Sequence, residues 1–273
     1  MGEDLLRVAA LALVEGLTEF LPISSTGHLI VGKALLRFDA LGTVFEIVIQ
    51  FGAACALLLY YRKSLLAQVA QFPSNAEVRR FWLLILVACL PAAALGLLLE
   101  AQIEANLFSP QVVALALIAG GIVLLLVERY LRGRTLHDAR ALQINELTLR
   151  QALIVGAAQA FALIPGVSRS GSSIVGGLLT GLNRRAATEF SFYLALPLLG
   201  GTTVYKLVKS LPELSGDALL LLAVGTALAG FFAWMAIDWL LGYVSRHSFA
   251  LFGVYRIVAG GLIWLAAAGG VIA

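Results

Sequence analysis

Four long apolar runs, Phe81–Leu99, Val112–Val127, Ala218–Ile237 and Ala250–Ala268, constrain this chain more than any other feature. Each approaches the roughly 20 residues with which a helix crosses about 30 Å of hydrocarbon. Charged residues make up 13% of the 273, where a soluble domain carries about 25%. The chain therefore reads as an all-α integral membrane protein. Two more spans fall at about Thr43–Tyr61 and Ala187–Leu207, and six are expected in all.

Two further segments, about Leu5–Leu36 and Leu149–Leu182, are helical in pattern but interrupted by proline, glycine and hydroxyl residues. Neither reads as an ordinary span. The basic residues orient them. Arg62, Lys63, Arg79 and Arg80 share one loop; Arg129, Arg132, Arg134, Arg140 and Arg150 share a second; Arg184 and Arg185 form a third cluster and Arg246 a fourth. With these on the cytoplasmic side, six spans connect consistently only if both broken segments are re-entrant. The first then enters from outside and the second from inside. Twelve of the 19 Lys and Arg face the cytoplasm, five face outward, and both termini are external.

The expected fold is one membrane domain, residues 1–273, made of two inverted-topology repeats of about 1–130 and 131–273. Each is a re-entrant hairpin followed by three spans. Local sequence supports the repeat: Ser24-Ser25-Thr26-Gly27 precedes Ser168-Arg169-Ser170-Gly171 by 144 residues, and Glu15 precedes Gln159 by the same interval. Inverted repeats gather their sites near the midplane, where broken helices offer backbone groups.

The acidic N-terminus lacks the pattern of a cleaved signal peptide, so no cleavage is expected. Cys55 and Cys89 lie inside apolar runs and read as buried thiols. The net charge of +3 is scattered over helix ends, which suits membrane orientation and not nucleic acid.

Chemistry concentrates on the interrupted segments. Glu15 and Glu19 stand four apart, so their carboxylates share a helical face about 6 Å apart. A cation or proton shared between them relieves their repulsion. Pro22 breaks the helix, and Ser24, Ser25, Thr26 and Gly27 form a polar turn from which a second helix starts. Amides at such an N-terminus bind phosphate oxygens. Ser25 needs a base or metal to act as a nucleophile, and His28, three residues on, can share its face. In the second segment, past Arg150 at its start, Arg169 is the only base, and its guanidinium fork matches phosphate. Ser168, Ser170 and Gly171 surround it, and Gly176, Gly177 and Gly181 suit close helix packing. Glu46, Gln50, Glu189, Tyr193 and Tyr205 read first as helix-packing hydrogen bonders, with a place on the cavity wall left open for each. Tyr255-Arg256 reads as a headgroup anchor for the last helix, with an internal acid as the other partner open to Arg256.

The strings from Glu15 to His28 and from Pro165 to Gly171, with Glu189-Phe190-Ser191-Phe192, resemble bacterial undecaprenyl-diphosphate phosphatases, the bacitracin-resistance family. The resemblance runs over essentially the whole chain. It implies hydrolysis of undecaprenyl diphosphate to undecaprenyl phosphate, which recycles the carrier lipid for cell-wall synthesis at the outer face of the bacterial plasma membrane. It also implies a divalent cation, Mg²⁺ or Ca²⁺. On matching positions it makes Glu15, Glu19, Ser25, His28 and Arg169 the functional core. Ser24, Thr26, Gly27, Ser168, Ser170 and Gly171 are then phosphate-binding, and Glu15 and Glu19 the metal ligands. Either Ser25, assisted by His28, or His28 itself is the nucleophile. The expected partners are a polyprenyl diphosphate and the membrane; a homodimer stays open. The other function considered is transport or flipping of the lipid phosphate, which needs no nucleophile. An acid-phosphatase-type site is disfavoured because no histidine follows Arg169 before His247.

Overall fold

The computed structural model describes residues 2–38, 42–133, 142, 144–210 and 216–272, and among them there is no strand. Arg134 and Arg140 of the second basic cluster lie outside the described residues. Eleven α-helices follow in order: α1 (Gly2–Thr18), α2 (Ser25–Leu36), α3 (Gly42–Tyr60), α4 (Arg62–Gln71), α5 (Ala76–Leu107), α6 (Pro110–Gly133), α7 (Leu149–Ala160), α8 (Arg169–Leu179), α9 (Arg184–Ser210), α10 (Gly216–Val244) and α11 (Ala250–Ala268). Single 3₁₀ turns lie at Ile144–Glu146 and Phe161–Leu163.

Helices α5, α6, α10 and α11 are each long and apolar enough to cross a bilayer; α3 with α4, bent by 69° at Tyr61, makes a fifth candidate. α9 is as long as these, at 27 residues, but carries polar groups that composition counts against it. Three of those groups point inward: Thr188, Ser191 and Thr203 are buried, whereas Arg185, Thr202 and Tyr205 are exposed. The molecule thus exposes large apolar side chains while burying a cluster of polar ones within its hydrophobic core. Leu6, Leu97 and Leu98 are more than 70% exposed, whereas Glu15, Glu19, Gln159 and Arg256 are buried.

Both interrupted segments are helix–break–helix units, α1–α2 and α7–α8, each breaking ahead of a serine N-cap. The helices around them pack closely through small residues, as membrane helices do. A Cβ on Gly16 of α1 would strike the Ala229 carbonyl of α10, and one on Gly156 of α7 would strike Ala88 of α5. Gly176 and Gly177 meet Ala158 and Ala187 as expected of packing glycines. Gly181 does not. Its φ of +102° serves the turn that ends α8, a conformation in which a side chain is strained.

One buried carboxylate ties three helices together. Glu128 of α6, 1% exposed, accepts Arg184 Nε at 3.0 Å and Nη2 at 2.7 Å, and the Phe249 amide at 2.8 Å. Removing one partner of such a pair strands the other. Glu128→Ala is therefore expected to destabilise the protein by about 3 kcal/mol, read as a lower thermal midpoint in detergent.

Candidate active site

The two breaks have the same local geometry. Ser24 has φ 71° and Ser168 has φ 76°, left-handed values that a non-glycine residue adopts only under constraint. Each uses its own Oγ to cap the helix that follows, accepting the Gly27 amide at 3.3 Å and the Gly171 amide at 3.1 Å. Those two amides, expected from sequence to meet phosphate, are here engaged in capping. At α2 the amides of Ser25 and Thr26 are the ones left to face a ligand, because a helix N-terminus leaves its first amides without helical partners.

The tips meet. Ser170 Oγ of the second donates to the Leu21 carbonyl of the first at 2.8 Å, and lies 3.1 Å from Ser168 Oγ. At the centre a single carboxylate joins the two segments. Glu19 Oε2 accepts Ser25 Oγ at 2.5 Å, and Glu19 Oε1 accepts Arg169 Nη2 at 3.3 Å. Arg169 Nη1 also donates to the Ser191 carbonyl at 3.1 Å, and the guanidinium lies 5.9 Å from the Phe20 ring centroid. Glu19 and Arg169 side chains are only 5% and 14% exposed, so this ion pair sits where charge is little screened.

A cavity of about 370 Å³ opens on this cluster. Glu19, Ser24, Ser25 and Thr26 line it from the first tip, and Ile164, Pro165, Gly166, Ser168 and Arg169 from the second. Glu46 and Gln50 of α3 add polar groups; Ile103, Phe108, Leu163 and Leu199 form an apolar wall. Glu46 also holds Lys33 at 2.8 Å. For Gln50, as for Glu46, the structure takes the cavity-lining alternative that the sequence left open. Of the other secondary positions, Glu189 pairs with Arg185, Tyr193 bonds Ser64 and Gln68, and Tyr205 is exposed.

A family model described as bacitracin resistance protein BacA matches residues 8–262. The chain belongs to this family. It is 49% identical over 255 residues to undecaprenyl-diphosphatase 1 of Burkholderia lata, covering 93% of this chain and 92% of that protein. It is 50% identical over 260 residues to undecaprenyl-diphosphatase 1 of Paraburkholderia xenovorans, covering 95% and 94%. With undecaprenyl-diphosphatase of Albidiferax ferrireducens it shares 46% over 269 residues, 98% and 97% of the two chains.

The BacA-family motif residues divide into those that line the cavity and those that stand behind it. His28 is among the latter. Its Nδ1 lies 2.7 Å from the Ser24 carbonyl and its Nε2 2.6 Å from the Tyr255 hydroxyl, on which the ring stacks. A carbonyl only accepts, so Nδ1 carries the proton and the neutral Nε2 accepts from Tyr255. Sequence spacing pairs His28 with Ser25; the structure pairs Ser25 with Glu19, because the turn folds Glu19 back over the start of α2. Glu15 is fully buried, and neither of its carboxylate oxygens has a hydrogen-bond partner. Its charged neighbours are Glu19, Glu46 and Arg169. No group of three His, Cys, Asp or Glu side chains converges among the described residues. The oxygen donors of Glu15 and Glu19 nevertheless fit a hard divalent cation, and the orphaned Glu15 carboxylate is a group that such charge would satisfy.

The sequence assigned Arg256 to the headgroups or to an acid, and neither holds. Arg256 is 2% exposed and donates to five backbone carbonyls: Leu117, Pro22, Ala116, Gly166 and Val167. Its position was the missed signal. It is the seventh residue of α11, well inside the span, where an arginine needs internal partners. Tyr255, beside it, holds His28. Tyr255→Phe removes that donor; we expect a loss of about 1 kcal/mol in thermal stability. In wild type, ¹⁵N spectra at neutral pH should show His28 protonated at Nδ1, and an Nε2–H tautomer would refute the assignment.

Proposed function

We propose that this chain hydrolyses undecaprenyl diphosphate to undecaprenyl phosphate and inorganic phosphate at the Ser25–Glu19–Arg169 cluster. One observation carries the reading: a single buried carboxylate accepts both a serine hydroxyl and an arginine, each from a different half of the chain, beside a cavity. The family membership and its named relatives support the same chemistry.

The diphosphate enters the cavity with its terminal phosphate on Arg169 and on the free amides of Ser25 and Thr26. A guanidinium grips phosphate as a fork, and the helix N-terminus adds its dipole. Glu19 takes the Ser25 proton as Oγ attacks the terminal phosphorus. The new Oγ–P bond forms as the bridging P–O bond breaks, and undecaprenyl phosphate departs with the bond electrons. Glu19 gives up its proton with the departing lipid phosphate, then takes one from an attacking water and returns it to Ser25 Oγ as the Oγ–P bond breaks, releasing inorganic phosphate. Arg169 stabilises charge on the equatorial oxygens in both steps. Both ring nitrogens of His28 are engaged, which favours Ser25 as nucleophile and gives His28 the work of holding the Ser24 carbonyl. Glu15, with Glu19, would hold a divalent cation, Mg²⁺ or Ca²⁺, which when bound neutralises phosphate charge. The apolar wall of Ile103, Phe108, Leu163 and Leu199 receives the start of the prenyl chain.

The architecture that serves this chemistry is six spans, α3, α5, α6, α9, α10 and α11, with α1–α2 and α7–α8 as re-entrant hairpins in two inverted halves. The packing supports it. α1 rests on α10 as α7 rests on α5, α3 meets α10 as α9 meets α5, while α6–α11 and α3–α9 are self-equivalent pairs. The distribution of Lys and Arg supports a plasma-membrane orientation with both termini outside and the cavity opening to the exterior.

Purified protein in detergent is expected to release phosphate from undecaprenyl diphosphate and to lose this activity with a chelator. Ser25→Ala should abolish turnover. Glu19→Gln should slow it by about 10²–10⁴-fold, and Arg169→Lys by about 10²–10³-fold. Full activity in Ser25→Ala and Arg169→Lys would sink the site. For the orientation, cysteines added at both termini should react with an impermeant thiol reagent in intact cells; protection of either end contradicts it.

A further inference from the structure

We infer that Arg256 is a positioning residue for catalysis, locking the two re-entrant tips at the separation that puts Ser25 and Arg169 on one carboxylate. This rests on the proposed hydrolysis at those tips and adds a residue outside both motifs.

The geometry is specific. Arg256 Nη1 donates to the Pro22 carbonyl at 3.1 Å, and Nη2 to the carbonyls of Gly166 at 3.1 Å and Val167 at 2.9 Å. Pro22 and Gly166 are 144 residues apart, the spacing of the two serine turns, so one guanidinium bridges corresponding atoms of both tips. Its other contacts, to the Ala116 and Leu117 carbonyls at 3.3 and 3.4 Å, fix it to α6. There Gly120 leaves room for it, since a Cβ would collide with the guanidinium. The tips are thereby anchored to a long helix and not only to each other.

The clasped carbonyls lie close in sequence to the reacting groups. Pro22 is three residues from both Glu19 and Ser25, and Val167 is two from Arg169. Both serine caps hold left-handed φ values, which persist only when their surroundings over-determine them. All five contacts of Arg256 are carbonyls. Of the five residues it reaches only Gly166 lines the cavity, and Arg256 holds that residue by its backbone carbonyl, so its effect on the reaction passes through backbone position. A misplacement of about 1 Å can slow an enzyme roughly 100-fold.

Arg256→Ala, in purified full-length protein, is expected to lower kcat about 100-fold while KM stays near wild type. Arg256 lines a second, apolar cavity of about 640 Å³, which gives small solutes a way in. Millimolar guanidinium should therefore restore kcat to Arg256→Ala, and urea, its neutral isostere, should not. Arg256→Lys keeps the charge but cannot span both tips; a clear drop in kcat is expected there too, which keeps the test alive if the alanine variant misfolds. Independently of turnover, spin labels at the exposed positions Leu17 and Phe161, with Cys55 and Cys89 replaced by alanine, report tip separation by electron–electron dipolar coupling. The distance distribution should broaden in both Arg256 variants. Wild-type kcat in the folded variants, a loss confined to KM, or an unchanged distance distribution would each overturn the inference. If wild type itself releases no phosphate, the proposed function fails, and the distance measurement still decides the role of Arg256.

Discussion

A broken helix inside a bilayer exposes carbonyls that no water can satisfy, and the whole interior answers that constraint. Backbone polar groups at membrane depth need partners from the protein. Here the first break places Leu21 and Pro22 carbonyls, and the second Gly166 and Val167 carbonyls, at the centre of the molecule. Ser170 and Arg256 supply the donors. Because each donor reaches across from another segment, satisfying the backbone and assembling the tips are one event. The serine caps do the same for the amides on the far side of each break.

That arrangement leaves the side chains of the site deliberately under-satisfied. Among the described residues seven buried side-chain atoms lack a hydrogen-bond partner, and five of them belong to Glu15, Gln159 and Arg169. Each such atom costs about 1–3 kcal/mol, so their concentration on the broken segments marks where a ligand's charge is wanted. Glu19 is the pivot. Bound to both Ser25 and Arg169, in the proposed mechanism it would keep the nucleophile and the anion-binding group in register before substrate arrives, with the entering phosphate competing for Arg169. Pre-alignment of this kind lowers the reorganisation that chemistry would otherwise demand.

The sequence was most legible where one physical rule dominates. Apolar length alone marks α5, α6, α10 and α11. The span read at Ala187–Leu207 falls on α9, which is less apolar than these because its Thr188, Ser191 and Thr203 serve the interior. The Ser-Ser-Thr-Gly and Ser-Arg-Ser-Gly strings announced the breaks, since proline and hydroxyl residues are poor company for a continuous span. Spacing misled at His28, because the helical periodicity that sets His28 beside Ser25 ignores a turn that brings Glu19 over the same hydroxyl. Arg256 was misread for a related reason: its partners are backbone atoms, which carry no sequence signature.

By itself, then, the sequence determined that the chain lies in a membrane, that it breaks twice, and which hydroxyls, acids and arginine stand on the breaks. Those follow from composition and local pattern, which act over a few residues. The tertiary structure alone decided that Glu19 holds Ser25 and Arg169 together, that His28 leans on Tyr255, and that Arg256 clasps both tips. Each of these joins atoms from segments far apart in the chain, at distances set by how α6, α9 and α11 pack, and no local rule reaches that far.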